Sequence, residues 1–414
     1  MRGNAASSAY ADDVTVGRFR TWFWRPPRAH GDVIRDRVVS PVELLYDLAY
    51  VIVISQAAHA VAVDISIQRV LEFTVVFTMI WLAWVNGSLY LELHGRDDGR
   101  TRSFVFVQIG LLVLLAVFTA NAATTDSAPF AITYAIFLGV STWLWQSVRG
   151  QDTPEFQSIT RRYVLAMLAS TIAVLVSAFL PPELRLVIWA ITSAAFIGFF
   201  AGLGFTRMFG RGVVPTHSMA ERFGLFTIIV LGEVIFGVVD GVSHAERDAI
   251  TIATGMIALG IGLGFWWVYF DIIGNRIPRH TSRSLVGWIL LHLPITLSIA
   301  AAGAAMVGLI EHAHETQTPP SIAWLISGSV AVAMLSTIAA AWTLELFDRL
   351  EFVFRRLLVA IAAAAAIALV VGYIAPAPWM LAALLGVILL ITWLLAVRWY
   401  IQIDAWPLQE HDEA

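Results

Sequence analysis

AERFGLFTIIVLGEVIFGVVD, residues 220–240, decides the fold. Charges stand at its start, Glu221 and Arg222, and at its end, Asp240, while the stretch between them is apolar except for Thr227 and one carboxyl, Glu233. About twenty such residues at about 1.5 Å each cross a hydrocarbon layer of about 30 Å. Backbone groups in lipid must be satisfied within their own segment, so the stretch predicts a membrane-spanning helix. Working outward, similar runs occupy about 41–63, 70–93, 103–122, 128–148, 162–181, 184–206, 248–271, 284–310, 321–346, 354–374 and 377–401. The chain reads as an all-α polytopic membrane protein of about twelve transmembrane helices.

The composition agrees. Of 414 residues, 58% are hydrophobic and 14% charged, where soluble domains carry about 25% charged residues. Mean hydropathy is +0.76. Water-soluble and intrinsically disordered classes are both excluded, since each needs far more polar surface. Cysteine is absent, which removes disulfides, thiolate metal sites and thiol nucleophiles. All 26 basic residues are Arg and the net charge is −4, with no basic domain or stripe of the kind that binds nucleic acid.

Arginine placement tests the helix count independently, because cytoplasmic loops accumulate basic residues. The connections after spans 2, 4, 6, 8 and 10 each hold a trio: Arg96, Arg100, Arg102; Arg149, Arg161, Arg162; Arg207, Arg211, Arg222; Arg276, Arg279, Arg283; Arg349, Arg355, Arg356. The remaining connections hold Arg69, Arg185 and Arg247. A missed or invented helix would destroy this alternation. Both termini are therefore expected in the cytoplasm of a bacterial cell, with the spans in its inner membrane.

The two halves resemble each other. Glu43-Leu44-Leu45 and Glu221-Arg222-Phe223 open spans 1 and 7, offset by 178 residues. Tyr90-Leu91-Glu92 matches Tyr269-Phe270-Asp271, Trp143 matches Trp342, Arg161-Arg162 matches Arg355-Arg356, and Leu180-Pro181-Pro182 parallels Ile374-Ala375-Pro376. Together and in order these predict two tandem, parallel six-helix repeats related by an axis along the membrane normal. The expected division is a cytoplasmic tail at 1–40, a first repeat at 41–211, a second at 212–401 and a cytoplasmic tail at 402–414.

Glu43-Leu44-Leu45-Tyr46-Asp47-Leu48, followed by Val51, Gln56 and His59, resembles the opening of the bacterial low-temperature-requirement A membrane protein family. Glu221 to Glu233 resembles that family's second hallmark. Leu45, Tyr46, Ala49 and Tyr50 depart from it, standing where Phe or another apolar residue is more usual. The resemblance implies the membrane fold; the family is named for a growth phenotype, which fixes no molecular activity.

Ionisable groups inside hydrocarbon are costly and mark interiors or water-filled cavities. Glu233, near the bilayer centre and flanked by Gly232 and Gly237, is the foremost candidate for proton or ion coupling. His292, beside Pro294, and His59 are candidates to extend it into a relay. Glu43, Asp47, Gln56, Glu221 and Arg222 are candidates for a gate or substrate contact near the cytoplasmic interface. The plainer reading of the helix-entry charges is a pair of structural ion pairs, Glu43 with Arg161 or Arg162 and Glu221 with Arg355 or Arg356. Asn86 and Gln108 read as interhelical hydrogen bonds, and Glu311-His312-Ala313-His314-Glu315 as solvated surface without a metal.

The expected function is secondary transport of a small solute or ion, proton-coupled, by a non-enzyme without cofactor. Expected partners are membrane lipids and that solute, with self-association compatible and nucleic acid excluded. The alternatives are a non-transporting membrane component for stress or cold tolerance, and a membrane-embedded lipid-modifying enzyme. Against the last, no D-D-x-x-D-type carboxylate motif and no Ser-His-Asp set occurs in the sequence.

Overall fold

The computed structural model describes residues 23, 25–30, 32, 37, 39–203, 215–349 and 351–401. Among them the chain is all-helical: α1 (Pro41–Ala62), α2 (Ile67–His94), α3 (Gly99–Thr119), α4 (Ser127–Val148), α5 (Pro154–Ser177), α6 (Pro182–Leu203), α7 (His217–His244), α8 (Ala249–Ile272), α9 (Ser282–Glu311), α10 (Pro320–Ala341), α11 (Glu345–Arg349), α12 (Glu351–Ile374) and α13 (Pro378–Ile401). Twelve of these are long and apolar enough to cross a membrane; α11 is a single short turn of helix. Arg207, Arg211, the 211/212 boundary and the tail at 402–414 lie outside the described residues.

Local chemistry sets the helix starts. Ser40, Ser66, Asp98, Thr216, Asp248 and Thr281 each accept a hydrogen bond from the backbone N–H three residues on, which satisfies one of the donors orphaned at a helix N-terminus. Pro41, Pro154 and Pro320 stand at the first helical positions, where a missing N–H costs nothing. α5 therefore starts at Pro154, earlier than hydropathy alone implies, because a proline can begin a helix in the polar interface. Span 10 ends at Ala341 instead of continuing to 346. There Arg279 N–H donates to Thr343 O at 2.9 Å and the chain turns into α11. The link between α12 and α13 is a tight hairpin with Ala375 at φ 47°, held by Thr318 N–H on Pro376 O at 3.0 Å.

The helices pack in a pattern that recurs six spans later. α1 packs on α2 and α3, α3 on α4, α4 on α5, α5 on α6, and α6 returns to α2. In the second half α7 packs on α8 and α9, α9 on α10, α10 on α12, α12 on α13, and α13 returns to α8. α1 and α7 meet between the halves. α9 breaks the correspondence by also packing on α1, α2 and α6. Its run Ala300-Ala301-Ala302-Gly303-Ala304-Ala305 lets neighbouring backbones approach closely, since in lipid such contact replaces the hydrophobic drive. A methyl group at Gly303 would lie 2.7 Å from the Glu233 carbonyl carbon and oxygen, so α7 and α9 touch almost backbone to backbone.

Polar groups inside this bundle are bonded across helices. Gln108 Nε2 donates to Ser141 Oγ at 3.1 Å, joining α3 to α4, and Tyr163 Oη donates to Asn86 Oδ1, joining α5 to α2. Large apolar side chains such as Leu48, Ile52, Val117, Ile191 and Val370 are exposed on the outer face, as a hydrocarbon solvent requires.

Candidate functional site

The arginine-rich end of the bundle carries a buried charge cluster between the halves. Ser40 caps α1 and places Glu43 in its first turn and Asp47 one turn deeper. Arg222, from the first turns of α7, is 1% exposed. Its Nη1 donates to Glu43 Oε2 at 3.3 Å and its Nη2 to Asp47 Oδ1 at 3.1 Å. Trp84 Nε1 of α2 donates to the same Asp47 oxygen at 2.8 Å. The Tyr46 ring lies 5.8 Å from the guanidinium, a cation–π contact, and its hydroxyl meets that of Tyr50 at 3.0 Å. The ring fits because position 87 has no side chain: a Cβ there would lie 2.9 Å from Tyr46 Cζ.

A second layer seals this cluster. Arg37 donates to Glu43 Oε1 at 2.6 Å and also pairs with Glu92, which accepts from Thr216 Oγ1 at 2.7 Å and Ser218 Oγ at 2.8 Å. Glu92 thereby ties the end of α2 to the start of α7. Above it, Arg28 is buried and caps α2, donating through Nε to Gly95 O at 2.8 Å, while His94 Nδ1 donates to Arg28 O at 2.8 Å. His30 holds Asp152 in the α4–α5 connection through its backbone N–H at 3.1 Å and its Nδ1 at 2.9 Å. Burial works to raise the Asp152 carboxyl, but the bonds from His30 and Thr160 outweigh it and hold the group below its ordinary value. The described residues of the expected N-terminal tail are thus docked onto the bundle as a strap.

This arrangement corrects the first of the two expected ion pairs, that of Glu43. The cations at Glu43 are Arg222 and Arg37, not Arg162, because α1 packs on α7 and not on α5, and Arg162 lies exposed on α5. Glu221, Arg355 and Arg356 are likewise exposed on their helices. Among the described residues, Asp47 Oδ2 and Arg222 Nε are buried without a hydrogen-bond partner. Such atoms are costly, so the cluster is a place where a proton, water or ligand group is favoured.

Deeper along α7, Glu233 is 4% exposed and accepts from Ser55 Oγ of α1 at 3.1 Å. Among the described residues no cation pairs with it. Gln56, the neighbour of Ser55, is half-buried.

The expected relay through His59, Glu233 and His292 is not assembled. His292 packs against Phe223, with ring centroids 4.9 Å apart, and so lies ten residues, about 15 Å, from Glu233 along α7. Its Nδ1 donates to Trp288 O at 2.7 Å and its Nε2 accepts from Tyr269 Oη at 3.0 Å, the bonding of a neutral, satisfied imidazole. His59 is exposed toward the other end of α1.

Sequence reasoning missed Trp84, Arg37, Glu92 and the Arg28–His30 strap. Glu92 carried a signal, as an acidic residue recurring in the repeat with Asp271; the strap carried none beyond its arginines. At the opposite end, His314 Nε2 pairs with Asp248 at 3.0 Å, and among the described residues no group of three His, Cys, Asp or Glu could hold a metal.

Comparisons with known proteins place these features. An uncharacterized protein of Rhizobium meliloti (strain 1021) is 23% identical over 240 residues, which cover 55% of this chain and 57% of that protein. The chain thus matches little more than half the length of this curated relative. No solved structure matches. The family model of the bacterial low temperature requirement A protein matches residues 38–393, from the strap's end through all but the last turns of α13. The chain belongs to the bacterial low temperature requirement A (LtrA) protein family.

Proposed function

We propose that this LtrA protein is a proton-coupled secondary transporter of a small solute or ion in the bacterial inner membrane, built from two tandem six-helix repeats with both termini cytoplasmic. The observation that carries the reading is Glu233: a carboxyl buried within a span, at the α1–α7 contact between the halves, bonded to a hydroxyl and paired with no cation among the described residues. A group so placed can take up a proton and release it when the halves move, which a purely structural carboxylate beside a cation cannot. The Arg222–Asp47–Glu43 network, sealed by Arg37 and Glu92, acts as the gate at the arginine-rich, cytoplasmic end, closed in this conformation. The recurrence of helix packing six spans apart supports the duplication and a site at the repeat interface.

The test is reconstitution into liposomes with an internal pH-sensitive dye and a panel of amines, amino acids and inorganic ions. Solute-dependent proton movement that Glu233→Gln abolishes supports the reading. Proton movement unaffected by that substitution at every pH, or no movement with any solute, overturns it. Product formed from lipid in detergent, with no gradient, points instead to the enzymatic alternative.

A further inference from the structure

A partly open cavity of about 20 Å³ lies inside the first half, lined by α2, α4, α5 and α6 and separate from Glu233 and the charge cluster. That is room for a water molecule or a fragment of similar girth, and empty cavities in proteins are ordinarily apolar. This one is not. Asn86, Tyr134, Ser170, Thr192 and Ser193 line it among methionine, leucine, valine and phenylalanine side chains. Among the described residues no carboxyl, imidazole, amine or guanidine group lines it.

The hydrogen bonds leave capacity facing the space. Asn86 uses one amide hydrogen on Leu82 O at 2.7 Å and accepts from Tyr163, which leaves its second N–H. Ser170 donates to Ala166 O at 3.0 Å and keeps its lone pairs. Ser193 is 7% exposed, and among the described residues its hydroxyl makes no hydrogen bond. A polar group that deeply buried is expected to have a partner.

The matching positions of the second half are apolar. By the 179-residue offset that aligns Tyr90 with Tyr269, Asn86 corresponds to Phe265. By the 194-residue offset that aligns Arg161 with Arg355 and Pro182 with Pro376, Ser170 corresponds to Ala364 and Ser193 to Val387. A methyl at Gly264 would lie 2.7 Å from Leu389 Cβ, so α8 and α13 close directly on each other. The polar lining belongs to one half alone, so the packing of the repeat does not require it.

We propose that this cavity is a binding site for a small uncharged molecule carrying an amide or hydroxyl group. The free Asn86 N–H and the Ser193 and Ser170 oxygens supply donors and acceptors for such a head, and the surrounding apolar side chains receive the rest of the molecule. An ion is disfavoured because no counter-charge lines the site. The site stands independently of proton coupling at Glu233.

The native chain has no cysteine, so Ser193→Cys and Ser170→Cys each introduce a single thiol at the cavity. Methyl methanethiosulfonate is the uncharged probe: the thiolate attacks its sulfenyl sulfur, a disulfide forms and methanesulfinate leaves. Modification of the purified full chain in lipid nanodiscs is followed by mass. Acetamide is expected to slow labelling of either thiol saturably, about threefold at twice its dissociation constant. Acetate and acetamidinium, of the same size but charged, are expected to leave the rate unchanged. The proposal is overturned if acetamide gives no saturable protection, which would mean a resident water only, or if the two ions protect equally. It is also overturned if both thiols are as unreactive as one placed at a fully buried, packed position, Leu389→Cys. Ser170→Cys keeps the test decisive should Ser193→Cys fail to elute as folded protein.

Discussion

Ser55 of α1 and Glu233 of α7 hydrogen-bond to each other at 3.1 Å, and in the proposed duplication, with its offset of 178 residues, they are equivalent positions. Contact between residues equivalent in that proposal puts them on the axis it implies. On that axis one half supplies a hydroxyl and the other an ionisable group. A symmetric pair of carboxyls there would repel when charged, and a symmetric pair of hydroxyls would have no group that ionises near neutral pH.

Substitutions at this contact separate structure from function. Glu233→Gln keeps the shape and the acceptor for Ser55, so unfolding in mixed micelles is expected to change by less than about 1 kcal/mol while coupled proton uptake is lost. Ser55→Ala instead strips a buried carboxyl of its partner and is expected to cost about 1–3 kcal/mol. A large loss of stability in Glu233→Gln would show that the carboxyl is structural.

Arg222 presents the opposite balance. It is buried between Glu43 and Asp47, and removing it leaves two carboxylates facing each other. Arg222→Leu is expected to destabilise by about 3–5 kcal/mol, whereas the double variant with Asp47→Asn recovers much of that, because an uncompensated buried charge is the main penalty. A double-mutant cycle in denaturant measures the coupling. Equal and additive losses would mean that the two side chains do not act as a pair.

The helix count was legible because every crossing of hydrocarbon needs about twenty apolar residues and each turn at one end attracts arginine. The partner of Glu43 was not. Its depth fitted Arg161 and Arg162 as well as Arg222, and only the packing of α1 on α7 separates them. The strap was illegible for another reason: Arg28 and His30 sit in an irregular segment, where no period links a residue to the carbonyls or carboxylate it will meet. His59 lies four residues after Ser55, rotated about 40° from it, enough to turn the ring outward where no other helix covers it.

The strap gives the molecule an acid-sensitive contact. The Asp152 carboxyl is held below its ordinary value by His30 and Thr160, so its stabilising contribution is full above the unfolded carboxylate value, about pH 4, and is lost as pH falls through the folded value. Wild-type thermal stability is expected to drop more steeply below about pH 4 than that of Asp152→Asn, which has no such charge to lose. At neutral pH the variant is expected to be less stable by about 1–3 kcal/mol, the range for a hydrogen bond to a charged group. Parallel melting curves for the two proteins from neutral to acid pH would show that His30 does not anchor the strap through this carboxylate.

The α7–α9 crossing sets how firmly Glu233 is held. Position 303 faces the Glu233 carbonyl so closely that an added methyl, 2.7 Å from its carbon and oxygen, cannot fit unless the helices part. The obstacle is backbone, which cannot rotate away as a side-chain tip would. Gly303→Ala is therefore expected to cost about 1–3 kcal/mol, the range for overpacking in a well-filled core. Gly328→Ala on α10, where an added methyl meets nothing within 4 Å, is the control and is expected to be neutral or slightly stabilising, since alanine favours the helix. The comparison is made by denaturant unfolding in the same detergent. If both substitutions behave alike, the two helices are not in backbone contact, and Glu233 is positioned by Ser55 alone.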